Sequence, residues 1–229
     1  MMSVSGEGRS RRRAAPGDFG ELAAILQFPR LAMHAPRLLT ARRGNGEPVL
    51  VLPGFSASDL STSALRGYLI SIGYRTAGWG LGTNDGNIDE ALPRVAKVLQ
   101  AMVDRHGRPA TLVGQSLGGY LAREIAREHP ELVAQVITFG TPMLKPRSRQ
   151  PLRRPVTVIY SKADRIVPWV SCVDPDPGAT NIEVSSTHLG MGFDPDVWHI
   201  IAGQLASSST TRAGRGAAMG RSRRGERSA

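Results

Sequence analysis

The 229-residue sequence has one cysteine, Cys172, and aromatic residues make up only 5% of it. A single cysteine excludes an intramolecular disulfide framework and a cysteine-rich zinc module, and is compatible with a reducing compartment. No uninterrupted apolar stretch approaches the roughly 18 residues that a membrane-spanning helix needs, which excludes a transmembrane protein. So few aromatics cannot supply a base-stacking platform, and no zinc-finger spacing occurs. Lysine is scarce as well. The 26 arginines outnumber three lysines, a pattern expected from codon usage rather than from selection for phosphate contacts.

What is abundant is arginine at the two ends. Residues 1–14 carry a net +3 and residues 206–229 a net +5, so the body between them holds only +2 of the formal +10. Both ends are rich in Gly, Ser, Ala and Arg and poor in large apolar side chains. Such segments bury too little surface to offset the entropy of ordering and are expected to be disordered appendages. Weak contact of these tails with anionic lipid or nucleic acid is the alternative. The expected division is a basic tail (1–17), a helical segment (18–47), a main domain (48–205) and a second basic tail (206–229). Within the second part, Phe19, Leu22, Ile25 and Leu26 share one face of a helix over 18–28 that Pro29 and Pro36 break. It packs on the body or, helped by Arg30, Arg37, Arg42 and Arg43, anchors at a membrane surface. The apolar stretch there is interrupted by Glu21, Pro29 and Arg30 and does not read as a secretory signal. A cytoplasmic location is expected, with peripheral membrane contact as the second reading.

From residue 48 short apolar runs alternate with helical patterns. Strands are expected over Val49–Pro53, Tyr74–Trp79, Ala110–Gly114, Ala134–Phe139, Val156–Tyr160 and Asn181–Val184. Several are near-continuous Val, Ile and Leu, as strands buried on both faces should be. Helices are expected over 60–71, 88–105, 117–128 and 194–205. The connection 143–155 shows no helical period. This alternation predicts an α/β fold, a predominantly parallel six-stranded sheet with helices on both faces.

The stretch Gly114-Gln115-Ser116-Leu117-Gly118-Gly119 lies where a predicted strand ends and a helix begins. Gly-x-Ser-x-Gly alone is weak evidence in a sequence with 26 glycines. In a strand-to-helix turn it gains force, because the flanking glycines let strand and helix approach while the serine hydroxyl stands above the sheet edge. A serine that merely caps the helix is the competing reading. It does not account for glycines at 114, 118 and 119.

A serine nucleophile needs a base, and the chain order for this turn is serine, acid, histidine. Asp164 follows the fifth predicted strand and His188 follows the sixth, so both reach the sheet edge of Ser116. Other histidines fit less well: His129 ends the helix that starts beside Ser116, roughly 18 Å away by helical rise. His106 closes a helix, His199 falls within one, and His34 precedes the sheet. Asp174 and Asp176 are alternative acids if their loop folds back. The amides of Leu117 and Phe55 are the candidate oxyanion donors, with Gly54 permitting close approach. Gly78-Trp-Gly-Leu-Gly82 lacks dinucleotide-fingerprint spacing and is expected to be a loop bordering the site.

Four segments occur in order: Leu52-Pro53-Gly54-Phe55, Gly114 to Gly119, Asp164-Arg165-Ile166-Val167-Pro168 and Ser186-Thr187-His188-Leu189-Gly190. Over residues 48–205 the sequence resembles a small bacterial α/β-hydrolase of the lipase/esterase type. The resemblance implies Ser116 as nucleophile, His188 as general acid/base and Asp164 as its orienting partner. It implies cleavage of a carboxylic ester through an acyl-enzyme, with no metal or organic cofactor and no obligate protein partner. The substrate would be a small-molecule or lipid ester. Larger relatives insert a helical cap where this chain has only 143–155, so the site is expected to be open. Lys145, Arg147, Arg149, Arg153 and Arg154 crowd that connection, as a solvated basic loop or as an attractor of anionic substrate or lipid. Phe55, Trp79, Leu117, Val167, Trp169, Leu189 and Met191 are candidates to line an acyl pocket. Two other functions remain open at this point: acyl transfer by the same triad, and a non-catalytic binding protein on this fold.

Overall fold

The computed structural model describes residues 31–207 apart from 32 and 35. The expectations for the helix over 18–28 and for most of both basic tails lie outside the described residues. Six strands form one sheet: β1 (Pro48–Leu52), β2 (Arg75–Gly78), β3 (Ala110–Gln115), β4 (Val133–Phe139), β5 (Val156–Ser161) and β6 (Ala179–Val184). All five pairings are parallel. The helices are α1 (Asp59–Ser71), α2 (Ile88–His106), α3 (Leu117–Glu128), the single turn α4 (Trp169–Cys172) and α5 (195–207). A further helical segment precedes β1 and ends at residue 39. Each strand and helix predicted from residue 48 onward is present, displaced by at most a few residues at its ends.

Period-2 alternation sorts the strand side chains onto two faces. Val49 and Val51 of β1, with Val113, Ile137 and Ile159, join a core formed by Leu65 and Leu69 of α1 and Val197, Ile201 and Leu205 of α5. Leu50 and Leu52, with Leu112, Val136 and Val158, face Leu92, Val95 and Leu99 of α2 and Leu121 and Ile125 of α3. Neighbouring residues of one strand thus belong to different cores. Leu50 is completely buried, and its truncation to alanine would cost about 2–5 kcal/mol.

The strand order is β2-β1-β3-β4-β5-β6. From β1 the chain steps outward to β2, then crosses back past β1 to β3 and continues in one direction. Right-handed crossovers that reverse direction must place their helices on opposite faces, which accounts for α1 on one face and α2 and α3 on the other. The reversal opens a crevice between the loops that leave the carboxyl ends of β1 and β3, where parallel sheets bind ligands.

The connection from β4 to β5 contains no helix, as expected, but it is not simply a solvated loop. Tyr120, Glu124 and Arg127, spaced i, i+4 and i+7 along α3, all fasten it. The Tyr120 hydroxyl donates to the Lys145 carbonyl at 3.2 Å and Arg127 Nη1 to the Gln150 carbonyl at 3.0 Å. Glu124 Oε2 accepts the amides of Arg147 and Ser148 at 2.7 and 2.9 Å, and Arg147 also pairs with Asp89. Among the described residues no helix is long and apolar enough to cross a membrane.

Candidate active site

Ser116 occupies the sharp turn between β3 and α3 with φ 48° and ψ −119°. Among the described residues only Ser56 is another non-glycine with positive φ. Such backbone costs on the order of 1–3 kcal/mol and persists where its surroundings over-determine it. The surroundings here are close. A Cβ at Gly114 would lie 2.5 Å from the Gly118 carbonyl carbon, and one at Gly118 would lie 2.6 Å from the Pro53 carbonyl oxygen. The Ser116 amide donates to the Phe139 carbonyl at 2.9 Å, tying the turn to β4. Ser116 stands at the N-cap position, yet its side chain makes no cap hydrogen bond. The capping role therefore does not account for the hydroxyl.

His188 and Asp164 are brought together from the loops after β6 and β5. Asp164 Oδ2 lies 2.6 Å from His188 Nδ1, and the two side chains are 1% and 7% exposed. A carboxylate only accepts, so Nδ1 carries the hydrogen, and in the neutral ring Nε2 is left with its lone pair. The other oxygen, Asp164 Oδ1, accepts the amides of Ile166 and Val167 at 2.8 and 2.9 Å. The imidazole packs over Gly140, just beyond β4: a Cβ there would meet ring atoms Cε1 and Nδ1 at 3.1 Å. Ser116 and His188 thus flank the same end of β4. No hydrogen bond joins the Ser116 hydroxyl to the imidazole, and contacts of this kind often tighten only when substrate binds.

The third part of the site is a pair of amides. Leu117 is the first residue of α3, and the first amides of a helix lack intrahelical partners. Among the described residues neither the Leu117 nor the Phe55 amide donates to a protein acceptor. A Cβ on Gly54 would lie 3.4 Å from Ser116 Cβ, which places the Phe55 loop directly beside the serine.

The remaining candidates fall elsewhere. Asp174 is locked to Arg123 at 2.6 Å, and the Asp176 side chain accepts the Gly178 amide within its own turn; neither reaches His188. His129 caps the far end of α3 and lies 3.8 Å from Glu131. His106 ends α2, and His199 lies within α5. Its own partial burial, and then Arg75, Arg105 and Arg108 nearby, hold the His106 imidazole below its usual pKa. Of the pocket candidates, Trp79 and Val167 belong to the core against α2 and α3, and Met191 is fully buried beside Gly140. These three side chains stabilise the walls rather than form an open surface. Phe55, Trp169 and Leu189 are exposed. Trp169 is stacked on Tyr160, with Lys162 over its ring.

Three supporting residues escape sequence reasoning. Ser161 Oγ accepts the amides of Ala163 and Ser186 at 3.0 and 3.1 Å, joining the acid loop to the histidine loop. Gln115 Nε2 donates to the His188 carbonyl at 3.3 Å. Asn84, buried in the loop after β2, donates through Nδ2 to the Pro53 carbonyl. Ser161 and Gln115 share one detectable signal, a polar residue closing a mostly apolar strand. Among the described residues no group of His, Cys, Asp and Glu side chains forms a metal site.

Solved structures share this arrangement of elements. One, reported for the metagenome-derived lipolytic enzymes LipS and LipT, is 17% identical with a TM-score of 0.57, covering 74% of this chain and 96% of its own. A serine hydrolase involved in carbazole degradation is 14% identical with a TM-score of 0.59, covering 72% and 92%. The thioesterase domain from the curacin biosynthetic pathway is 14% identical with a TM-score of 0.53, covering 70% and 91%. At such identities the likeness is one of fold, and the three names already differ in substrate. The family model for the alpha/beta hydrolase fold matches residues 1–150, a span that includes Ser116 and ends before Asp164 and His188. With that match over more than half of its length, the chain belongs to the alpha/beta hydrolase fold family.

Proposed function

We propose that this protein is a serine hydrolase that cleaves carboxylic esters through an acyl-enzyme. The observation that carries the reading is the serine hydroxyl released from capping on a strained turn, beside a buried histidine–aspartate pair and two undonated amides. In the first step His188 Nε2 takes the Ser116 proton as Oγ attacks the acyl carbonyl. The amides of Leu117 and Phe55 hold the oxygen that becomes negative. Collapse of the tetrahedral intermediate breaks the bond to the alkoxy oxygen, and His188 returns its proton to the departing alcohol. A water activated by the same nitrogen then releases the acid and restores the serine. Asp164 holds the imidazole in the tautomer that keeps Nε2 free.

An apolar ester is the substrate class best supported. Phe55, Leu144, Ile166, Trp169, Val170 and Leu189 are exposed, and all lie on segments leaving the carboxyl ends of β1, β4, β5 and β6. Exposed apolar side chains gathered around one edge mark a surface that binds apolar groups. The test is labelling with a fluorophosphonate, mapping of the modified peptide, and turnover of p-nitrophenyl esters of increasing acyl length. Modification confined to Ser116, with turnover abolished in Ser116→Ala, is the expected result. Folded protein that neither labels nor turns over any ester would overturn the reading.

A further inference from the structure

The glycine-rich loop after β2 takes no direct part in this chemistry, yet one of its residues is buried against the loop that carries Phe55. Asn84 is 1% exposed. Its Nδ2 donates to the Pro53 carbonyl at 2.9 Å. Its carbonyl oxygen accepts the Ser56 amide at 2.7 Å, and its own amide donates to the Ala57 carbonyl at 2.8 Å. Its Oδ1 accepts the Gly86 amide at 3.2 Å. Three of these bonds grip residues on both sides of Phe55 and leave the Phe55 amide itself unengaged.

The grip coincides with the second strained residue, Ser56 at φ 57°. The Phe55 side chain is 63% exposed and offers the loop little packing of its own. The loop that supplies Asn84 is, by contrast, well anchored. Both Asp59 carboxylate oxygens accept from it, at the amides of Trp79 and Gly80 (2.9 and 3.0 Å). Trp79 is buried and its Nε1 donates to the Gly82 carbonyl at 2.8 Å. The anchored Asn84 loop therefore braces the Phe55 loop, which within residues 54–57 has only the Ala57 amide to Gly54 carbonyl bond at 3.2 Å.

An amide stabilises a developing oxyanion only if it already points at the place where the charge forms. We propose that Asn84 is the positioning residue for the Phe55 oxyanion donor, its side chain acting through the Pro53 carbonyl without touching the substrate. This rests on the ester-hydrolysis reading above. It also assigns a role to the loop that a dinucleotide fingerprint could not explain.

The test uses the full chain with Asn84→Ala, which removes both side-chain bonds, and Asn84→Asp, which keeps the acceptor for Gly86 but loses the donor to Pro53. Both are expected to lower kcat about ten- to a hundredfold, with KM little changed. Phosphonylation of Ser116 should slow in parallel, while binding of a non-reactive substrate analogue is retained. A second measurement needs no variant. In the wild-type protein the Asn84 carboxamide proton bound to Pro53 should exchange slowly with solvent, and the Phe55 amide resonance should shift when Ser116 is phosphonylated. An inert wild type would remove the hydrolase reading and this inference with it. Active wild type with normal kcat in the folded variants, or a fast-exchanging carboxamide, would overturn the positioning role alone.

Discussion

His188 Nδ1 lies 2.6 Å from Oδ2 of Asp164, while the other oxygen of the same carboxylate accepts the amides of Ile166 and Val167. The carboxylate is therefore held from one side by its own loop and presents a single oxygen to the imidazole. Asp164→Asn would place an amide where only an acceptor serves, or force the ring into the other tautomer. Ester turnover is expected to fall by about 10³–10⁴-fold, with the protein still folded. Steady-state kinetics beside a circular dichroism melt would check this, and near-wild-type turnover would remove Asp164 from the mechanism.

Asp174 gives the opposite expectation. It is paired with Arg123 at 2.6 Å, with the Asp174 and Arg123 side chains 5% and 7% exposed, and has no contact with His188. Removing one partner strands a buried guanidinium, so Asp174→Asn is expected to destabilise by about 3–5 kcal/mol. Turnover per folded molecule should hold at temperatures well below the melt. Denaturant unfolding and kinetics on the same sample separate the two effects. A large loss of turnover without loss of stability would mean that Asp174 and not Asp164 serves the histidine.

Glu124 fastens the connection that stands where a cap could be inserted. Glu124→Ala removes the acceptor for the Arg147 and Ser148 amides. Local opening should become easier, and tryptic cleavage after Arg147 and Arg149 should rise about tenfold. Mass spectrometry of limited digests would read this. Unchanged cleavage at those two sites would show that the two amide bonds contribute little to holding the connection.

Burial, with a smaller contribution from the nearby Asp164 charge, pushes the Cys172 thiol up to about 11. A raised thiol pKa means that the reactive thiolate is scarce at pH 8 and accumulates only as pH climbs towards 11. A thiol reagent should therefore leave the native protein unmodified at pH 8 and titrate one group in denaturant. Rapid native modification would show that the α4 turn that carries Cys172 opens readily.

Much of this molecule is legible locally. Val49 to Leu52 is apolar at every position because alternate residues feed two cores, and Leu112 and Val113 of β3 divide between the same two cores. The spacing of Leu92, Val95 and Leu99 gives α2 its buried stripe. The glycines around Ser116 announce a turn because no other residue fits between strand and helix. Such signals reach only a few residues along the chain, and so they determine elements, the α/β class and the candidates Ser116, Asp164 and His188.

The tertiary structure decided which candidates meet. Position just after a strand favours Asp164 but leaves Asp174 open as the partner of His188; packing closes that alternative by giving Asp174 to Arg123. The supports are equally non-local. Gln115 reaches His188 across 73 residues, Asn84 reaches Pro53 across 31, and Ser161 reaches Ser186 across 25. A polar side chain finds its partner only after the sheet order has put two loops together. Periodicity in the sequence determined what each segment becomes, while the reversal at β1 and β3 decided which loops stand beside Ser116.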